Sequence, residues 1–414
     1  MKATEKQELL FKCGKVFSPA TPISTRELFA GRTEQIRLVG EAVHTRGRHA
    51  IIFGERGVGK TSLANILRVL LGDEQTIVVK INCHNEDTFV KVWRSALSEI
   101  EIVEEEEAAG FKPHRARPVR TPADTIEDKV GPEDLRRVLG AISRYNPVVI
   151  IFDEFDRLQG NKIQRLFADT IKNFSDNSIN TTFVIVGVAN DVSELIKEHE
   201  SVNRSLVQIK MPRMKGHELQ EIITKAIQEL GMAIETEALE LLVMLSQGLP
   251  HYTHLLGNES TVTTIQDGRK RITVADAKNG IGEALNKTQH SILEAYQNAI
   301  RGQRKGTLFR QALLACALAE VDPEGFFISA DVREPFSKIM KKSYDIPGFS
   351  QHLDKFSSDA SRGPVLERAG TSRRFRFRFK NPLLQPYVIM RGLADGMLEG
   401  ELLDLLRAKH LQQQ

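Results

Sequence analysis

The run Gly54-Glu55-Arg56-Gly57-Val58-Gly59-Lys60-Thr61-Ser62 fits the spacing G-x-x-x-x-G-K-[ST]. Glycines in such a loop let backbone N–H groups curl round phosphates, and a helix N-terminus following the loop adds a favourable dipole. Lys60 is expected to reach the β- and γ-phosphates of a bound nucleoside triphosphate, and the Thr61 hydroxyl to be a magnesium ligand. Asp153 and Glu154 close the apolar run PVVIIFDEFD. Carboxylates that end a strand emerge at the carboxyl edge of an α/β sheet, where ligands bind. There Asp153 would hold magnesium through water, and Glu154 would polarise an attacking water as general base. The chemistry these residues could perform together is binding of ATP with magnesium and in-line attack of water on the γ-phosphate. Phe155 and Asp156 carry no role at this level.

Elements of matching character surround these residues. AIIFG (50 to 54) is a short β-rich run that stops at glycine, and SLANILRVLL then places apolar residues at helical spacing, so the loop lies between a strand and a helix. TIVVKIN (76 to 82), PVVIIFDEFD (147 to 156) and TTFVIVGVAN (181 to 190) read as three more buried strands, and TFVKVWRSALSEI (88 to 100) as an amphipathic helix with Asp87 as its N-cap. Continuous apolar strands alternating with helices predict an α/β fold with a parallel sheet covered on both faces. Between the second and third strands, EIVEEEEAAGFKPHRARPVRTPADTIED has an acidic block, a basic proline-containing block and no hydrophobic period. It is expected to form a long surface loop, placed at 103–130.

From Lys215 the patterns HELQEIITKAIQELG, ETEALELLVMLSQG and VADAKNGIGEALN are helical with no strands between them, which predicts a helical lid. From about Gly306 three helical patterns precede two β-type runs, PVLERAG and RRFRFRFK, in the order of a winged helix. Strict alternation in the second run puts Phe375, Phe377 and Phe379 on one face and Arg374, Arg376, Arg378 and Lys380 on the other. Such a basic ribbon could lie on the phosphate backbone of double-stranded DNA, or its cations could pair with acids in a module that packs only on proteins. In the tail, Leu398, Leu402, Leu405 and Leu406 share one helical face, which would dock a partner or another copy, or pack back on the chain. The expected division is an N-terminal segment (1–24), an ATPase core (25–214), the lid (215–300), the winged helix (301–392) and an amphipathic C-terminal helix (393–414).

Bulk properties bound the function. A chain of 414 residues exceeds the roughly 100–200 of an ordinary domain and predicts two or three of them. Apolar residues at 41% and charged residues at 27% are the balance of a soluble globular protein. Lys and Arg exceed Asp and Glu by three, so any nucleic-acid surface must be local. Cys13, Cys83 and Cys316 are far apart and form no metal-ligand or redox spacing, and are expected to be buried in a reducing compartment. Neither a signal-peptide run nor ~18 continuous apolar residues is present, so a cytoplasmic location without a membrane partner is expected. No nuclease, protease or transferase constellation is visible, so a destructive activity would belong to a partner.

By the order of these motifs over roughly residues 25 to 390, the chain resembles the AAA+ superfamily of P-loop ATPases, particularly its initiator-like branch of origin-recognition ATPases and the neighbouring STAND signalling ATPases. Phe29-Ala30-Gly31-Arg32 is similar to the F-x-G-R segment that lies against adenine in that branch, which implies Arg32 at the nucleotide. Asn190 matches sensor 1, a polar side chain that helps orient the attacking water, though an ordinary strand-ending Asn is the alternative. Ser201-Val202-Asn203-Arg204 falls where the family keeps its arginine finger, acting in cis or from a neighbouring subunit, with Arg213 a second candidate. Where many members carry a sensor 2 arginine, Gly248-Leu249-Pro250-His251-Tyr252 resembles the G-x-P motif of STAND and related archaeal ATPases, which implies that Pro250 packs near adenine and couples lid position to nucleotide state. His251 and His254 would approach phosphate or simply pack. The resemblance implies ATP, ADP and magnesium as ligands and either a homo-oligomer or a separately encoded effector as partner. It leaves three roles: a switch in prokaryotic defence or mobile-element regulation, an initiator-type ATP-dependent DNA loader with slow turnover, and a protein-only regulator.

Overall fold

A computed structural model describes residues 1–19, 22–23, 29–73, 75–100, 121–126, 129–196, 200–302, 307–322, 324–371 and 374–412, the side chains of 200, 201 and 409–412 aside. They form two compact units, one of Pro22–Glu55 with Lys60–Pro212 and one of Met1–Thr21 with Arg56–Gly59 and Arg213–Gln414.

In the first of these, strands β1 (His49–Gly54), β2 (Ile77–Asn82), β3 (Val148–Asp153), β4 (Thr181–Val188) and β5 (Leu206–Lys210) make one parallel sheet in the order β2-β3-β4-β1-β5. Four of the five coincide with the apolar runs, and β1 and β3 are buried along their whole length, as strands covered on both faces must be. β5 was not expected, because Gln208 and Lys210 interrupt its apolar pattern at the sheet's edge. Helices Lys60–Leu71, Phe89–Ser98, Pro132–Ile142 and Asn161–Asp176 join or flank the strands. Trp93 anchors the core, its ring 5.1 Å from that of Phe152, 5.8 Å from Phe167 and 5.3 Å from Phe183.

Two local expectations are corrected. The N-cap of the Trp93 helix is Thr88, whose hydroxyl accepts the Lys91 N–H, while Asp87 closes the preceding turn by accepting from His84 N and pairs with the Lys91 ammonium. The long surface loop is shorter than 103–130. Residues 101–120 and 127–128 lie outside the described residues, but Pro122–Thr125 form a 3₁₀ turn, and Ile126 and Val130 are buried in the Trp93 cluster. Those two apolar side chains are what bring the second half of the segment back to the core.

The second unit contains helices Gly216–Glu229, Thr236–Ser246, Pro250–Gln266 and Val274–Asn286. Two short strands, Ala233–Ile234 and Arg271–Ile272, pair between them, where no strand was expected; at two residues each they are too short to show an apolar period. Helix Ala3–Val16 belongs here too, burying Leu9, Cys13 and Val16. Phe17 presses so closely on Gly257 that any Cβ there would overlap its ring. Further on, helices Phe309–Leu318, Ser329–Ile339 and Ser350–Ser358 accompany an antiparallel sheet in which Arg376–Phe379 lies between Phe327–Ile328, which follows the first helix, and Leu366–Ala369. Helix Glu401–Gln412 packs back on the unit through buried Leu402 and Leu406, against helices Ser329–Ile339 and Thr236–Ser246, and Leu398 is buried just before it. All three cysteines are free and buried, and burial pushes the Cys13 and Cys83 thiols up to about 12. No helix among the described residues is long and apolar enough to cross a membrane.

His254 is buried in this unit with neither ring nitrogen hydrogen-bonded, edge-on to Phe17 at 6.2 Å. Burial, with His251 nearby, pulls its imidazolium down to about 4. An unfolded histidine titrates near 6.5, so between pH 6.5 and 4 the unfolded chain takes up a proton that the folded chain refuses, and stability falls with pH by on the order of 3 kcal/mol from this residue. His49, buried and lowered to about 3, acts in the same direction in the first unit. His254→Leu is therefore expected to flatten the stability loss between pH 7 and 4.5, read from urea midpoints. An equal loss in both chains would contradict the buried neutral imidazole.

Candidate functional site

β1 ends at Gly54 and the next helix begins at Lys60, so the glycine-rich run spans a strand-to-helix turn. Gly54 is required by close approach: a Cβ there would come 2.5 Å from the Met211 carbonyl oxygen, because the residue after β5 donates its N–H to Phe53 O at 2.7 Å. Gly57 and Gly59 have φ of +91° and +92°, a region that side-chain-bearing residues avoid. Within the second unit, to which Arg56–Gly59 belong, a Cβ on Gly59 would stand 3.8 Å from Pro250 Cγ and one on Gly57 would stand 2.8 Å from Leu383 Cδ2. Pro250 thus sits beside the last glycine of the loop. Arg56 is exposed and Val58 is buried.

The Lys60 ammonium donates to the carbonyls of Gly54 (2.9 Å) and Glu55 (2.8 Å) and is held over the loop's own backbone. The Thr61 hydroxyl donates to Asp153 Oδ1 at 3.4 Å, which joins the helix after β1 to the end of β3. Oδ1 also accepts the Glu154 N–H at 2.9 Å. Asp153 Oδ2 is buried 3.0 Å from Lys80 Nζ, yet the ammonium approaches at an angle that makes no hydrogen bond, so this oxygen has a charge partner and an unfilled lone pair. A hydroxyl beside a buried carboxylate with an orphaned oxygen fits magnesium, which takes one or two protein oxygens together with water and substrate phosphates. Among the described residues no group of three or more His, Cys, Asp or Glu offers a cation an all-protein cage.

Glu154 follows Asp153 in the left-handed region, φ +56° and ψ +35°, a conformation that costs a side-chain-bearing residue on the order of 1 kcal/mol. The turn Phe155–Arg157 enforces it. Phe155 is buried, Asp156 Oδ1 accepts the Val188 N–H at the end of β4 (2.7 Å), and Arg157 pairs with the Glu154 carboxylate at 2.9 Å. Asp156 and Arg157 thus fix Glu154 off the sheet's carboxyl edge. Asp156 lay within the sequence run D-E-F-D, but its bond to β4 shows only once the strands are ordered.

The remaining sequence candidates divide. Val188 is in register with Gly54, so Asn190 lies just past the start of the loop, with its amide and backbone N–H each 3.4 Å from Glu194 Oε1. Arg204 is exposed immediately before β5, whose Leu206 pairs with His49 at the start of β1. It therefore leaves the edge opposite Gly54, ~17 Å of strand away, which is too far for its own loop. Arg213 donates instead to Gln247 O (3.1 Å) and Gln385 Oε1 (2.8 Å) within the second unit. Arg32 is buried, with φ +62°, and donates to Pro212 O at 2.8 Å, so it braces the segment that leaves β5. Ser62 Oγ accepts the Ile23 N–H at 3.2 Å and ties down the chain before the core. His251 meets Pro19 O at 3.0 Å, and burial lowers its pKa, so it packs. On strand Arg376–Phe379, Arg376 pairs with Glu324 (2.9 Å) and Asp322 (3.4 Å), and Arg378 with Glu367 (2.7 Å), both guanidiniums lying over Phe326; Arg374 and Lys380 are exposed.

A family model described as Novel STAND NTPase 1 matches residues 22–318. No curated protein matches the chain. Among solved structures it is similar to the Walker-type ATPase paby2304 of Pyrococcus abyssi, at 14% identity and a TM-score of 0.53 over 90% of this chain and 99% of that one. It is also similar to the ORC2 protein of Aeropyrum pernix in ADPNP and ADP complexes, at 13% identity and a TM-score of 0.49 over 95% of this chain and 98% of that one. At such identity, what is shared with the first is the fold.

Proposed function

The chain belongs to the novel STAND NTPase 1 family, and from that premise we propose that it is a nucleotide-gated switch that binds ATP with magnesium and hydrolyses it to ADP and phosphate. The observation that carries the reading is the meeting of Thr61 with Asp153 beside Lys60, with Glu154 held in a strained turn at the same sheet edge. The N–H groups from Gly54 to Thr61 cradle the phosphates, and Lys60 exchanges the carbonyls of Gly54 and Glu55 for the β- and γ-phosphates. Thr61 and Asp153 would hold magnesium, which when bound neutralises phosphate charge. Glu154 accepts the proton of the attacking water, Asn190 helps orient that water, and Pro250 carries the state of the loop into the lid helices. Steady-state phosphate release by the purified chain with ATP and magnesium tests this; a chain that stays at the no-enzyme rate across protein concentrations removes the hydrolysis reading.

The position of Arg204 adds an assembly requirement. An arginine at the edge of the sheet opposite the loop is out of reach of its own site, so as a finger it would serve the site of another copy, and such a finger is worth about 10³–10⁵ in turnover. Arg204→Ala is expected to lower turnover strongly while leaving ATP affinity within about twofold, and wild-type turnover per chain should rise with protein concentration. Mixing in Lys60→Ala chains, which keep Arg204, should restore Arg204→Ala turnover. Turnover that ignores concentration, with Arg204→Ala active, would contradict the arrangement.

For the output we take Phe309–Phe379, three helices with a three-stranded sheet, as a winged helix that docks on protein. Two of its four wing cations are already neutralised by Glu324, Asp322 and Glu367. The reading is therefore a cytoplasmic regulator, of prokaryotic defence or a mobile element, acting on a separately encoded effector. The exposed pairs of Arg376 contribute only ~0–1 kcal/mol, so phosphates could displace them, and exposed Arg374 and Lys380 keep a DNA-loading role as the second reading. ATP-dependent, salt-sensitive retention on duplex DNA would favour that second reading.

A further inference from the structure

We propose that Lys80 competes with magnesium for the Asp153 carboxylate and so sets the magnesium concentration at which the chain holds nucleotide. This rests on the nucleotide-site reading above. Lys80 lies on β2 opposite Ile151, and Asn82 lies opposite Asp153. Alternation puts Lys80 and Asn82 on one face of the strand, and the ammonium donates to Asn82 Oδ1 at 2.9 Å while standing 3.0 Å from Asp153 Oδ2. The two charged side chains are 10% and 2% exposed.

An ammonium only 10% exposed, on a strand whose other members before Asn82 are apolar, is unfavourable unless an opposite charge meets it. Here the opposite charge is the one carboxylate placed to hold magnesium. Asp153 Oδ1 is already shared by Thr61 and the Glu154 N–H, so the lone pair left for a metal-bound water is on the oxygen beside Lys80. Two cations then lie beside the same carboxylate in a poorly solvated place, where their mutual repulsion is weakly screened. Lys80 keeps Asp153 compensated before nucleotide arrives and lowers the affinity of the site for magnesium afterwards. Nucleotide retention thereby becomes sensitive to the metal, which suits a switch.

The test is equilibrium binding of fluorescently labelled ADP to the whole 414-residue chain, titrated against free magnesium, in wild type, Lys80→Met, Lys80→Gln and Lys80→Arg. Loss of the ammonium is expected to lower the half-saturating magnesium about tenfold in the two neutral variants, with affinity at saturating magnesium unchanged. Lys80→Arg, which keeps the charge, should stay near wild type. In thermal melts without magnesium the neutral variants should unfold at lower temperature, and magnesium with nucleotide should stabilise them more than it does wild type. If Lys80→Met does not fold, Lys80→Gln, which retains a donor for Asn82, decides. Neutral variants with the wild-type magnesium midpoint overturn the role of Lys80. Wild type that binds no labelled ADP at any magnesium concentration overturns the site reading itself, so the two failures are distinguishable.

Discussion

Lys60→Ala is expected to weaken ATP binding about 100-fold or more, measured by equilibrium binding at saturating magnesium. The size follows from what the side chain does. Its ammonium donates to the backbone carbonyls of Gly54 and Glu55, neither of which requires a side chain to be present. In the proposed complex it would be the fixed cation of the loop facing two phosphates. Truncating one partner of a desolvated charge pair costs about 2–5 kcal/mol, or roughly 30-fold to several thousand-fold in affinity. Alanine is a good helix former at this first helical position, so the variant should melt close to wild type in the absence of nucleotide. ATP affinity retained in Lys60→Ala would mean that the phosphates are held elsewhere.

Glu154→Gln separates chemistry from binding. Glutamine is nearly isosteric, can keep one hydrogen bond to Arg157, and leaves the turn held by Phe155 and Asp156 intact. What it removes is the ability to accept a proton from water. General-base catalysis contributes about 10²–10⁴ in rate, so turnover is expected to fall by that factor while ATP affinity changes by less than about threefold. Phosphate release and nucleotide binding measured on the same preparations read the two effects independently. A parallel loss of both would make Glu154 a structural residue of the turn.

The strand-to-helix setting of the glycine-rich run and the placing of Asp153 and Glu154 at the end of β3 were legible in the sequence because an apolar run that stops at glycine or at carboxylates is a local pattern. β1 to β4 were legible for a related reason: central strands of a covered parallel sheet are apolar throughout. What stayed hidden depends on which strands are neighbours. Lys80 reads as a blemish in TIVVKIN until register sets Asn82 against Asp153. The remoteness of Arg204 from its own loop follows only from β5 pairing with β1 at His49. The wing alternation was visible, but the acids that neutralise Arg376 and Arg378 come from the loop before Phe326 and from the adjoining strand. Asp156 and Arg157 act through a turn whose shape no local propensity announces.

The most direct test of the central claim, that one site holds ATP and consumes it, is the identity of the nucleotide each chain retains. Wild type, Glu154→Gln and Lys60→Ala would be incubated with ATP labelled on the α-phosphate and magnesium, stripped of free nucleotide, and their bound nucleotide separated. The account predicts ADP on wild type, ATP on Glu154→Gln and none on Lys60→Ala. The same nucleotide in the same amount on all three would contradict it.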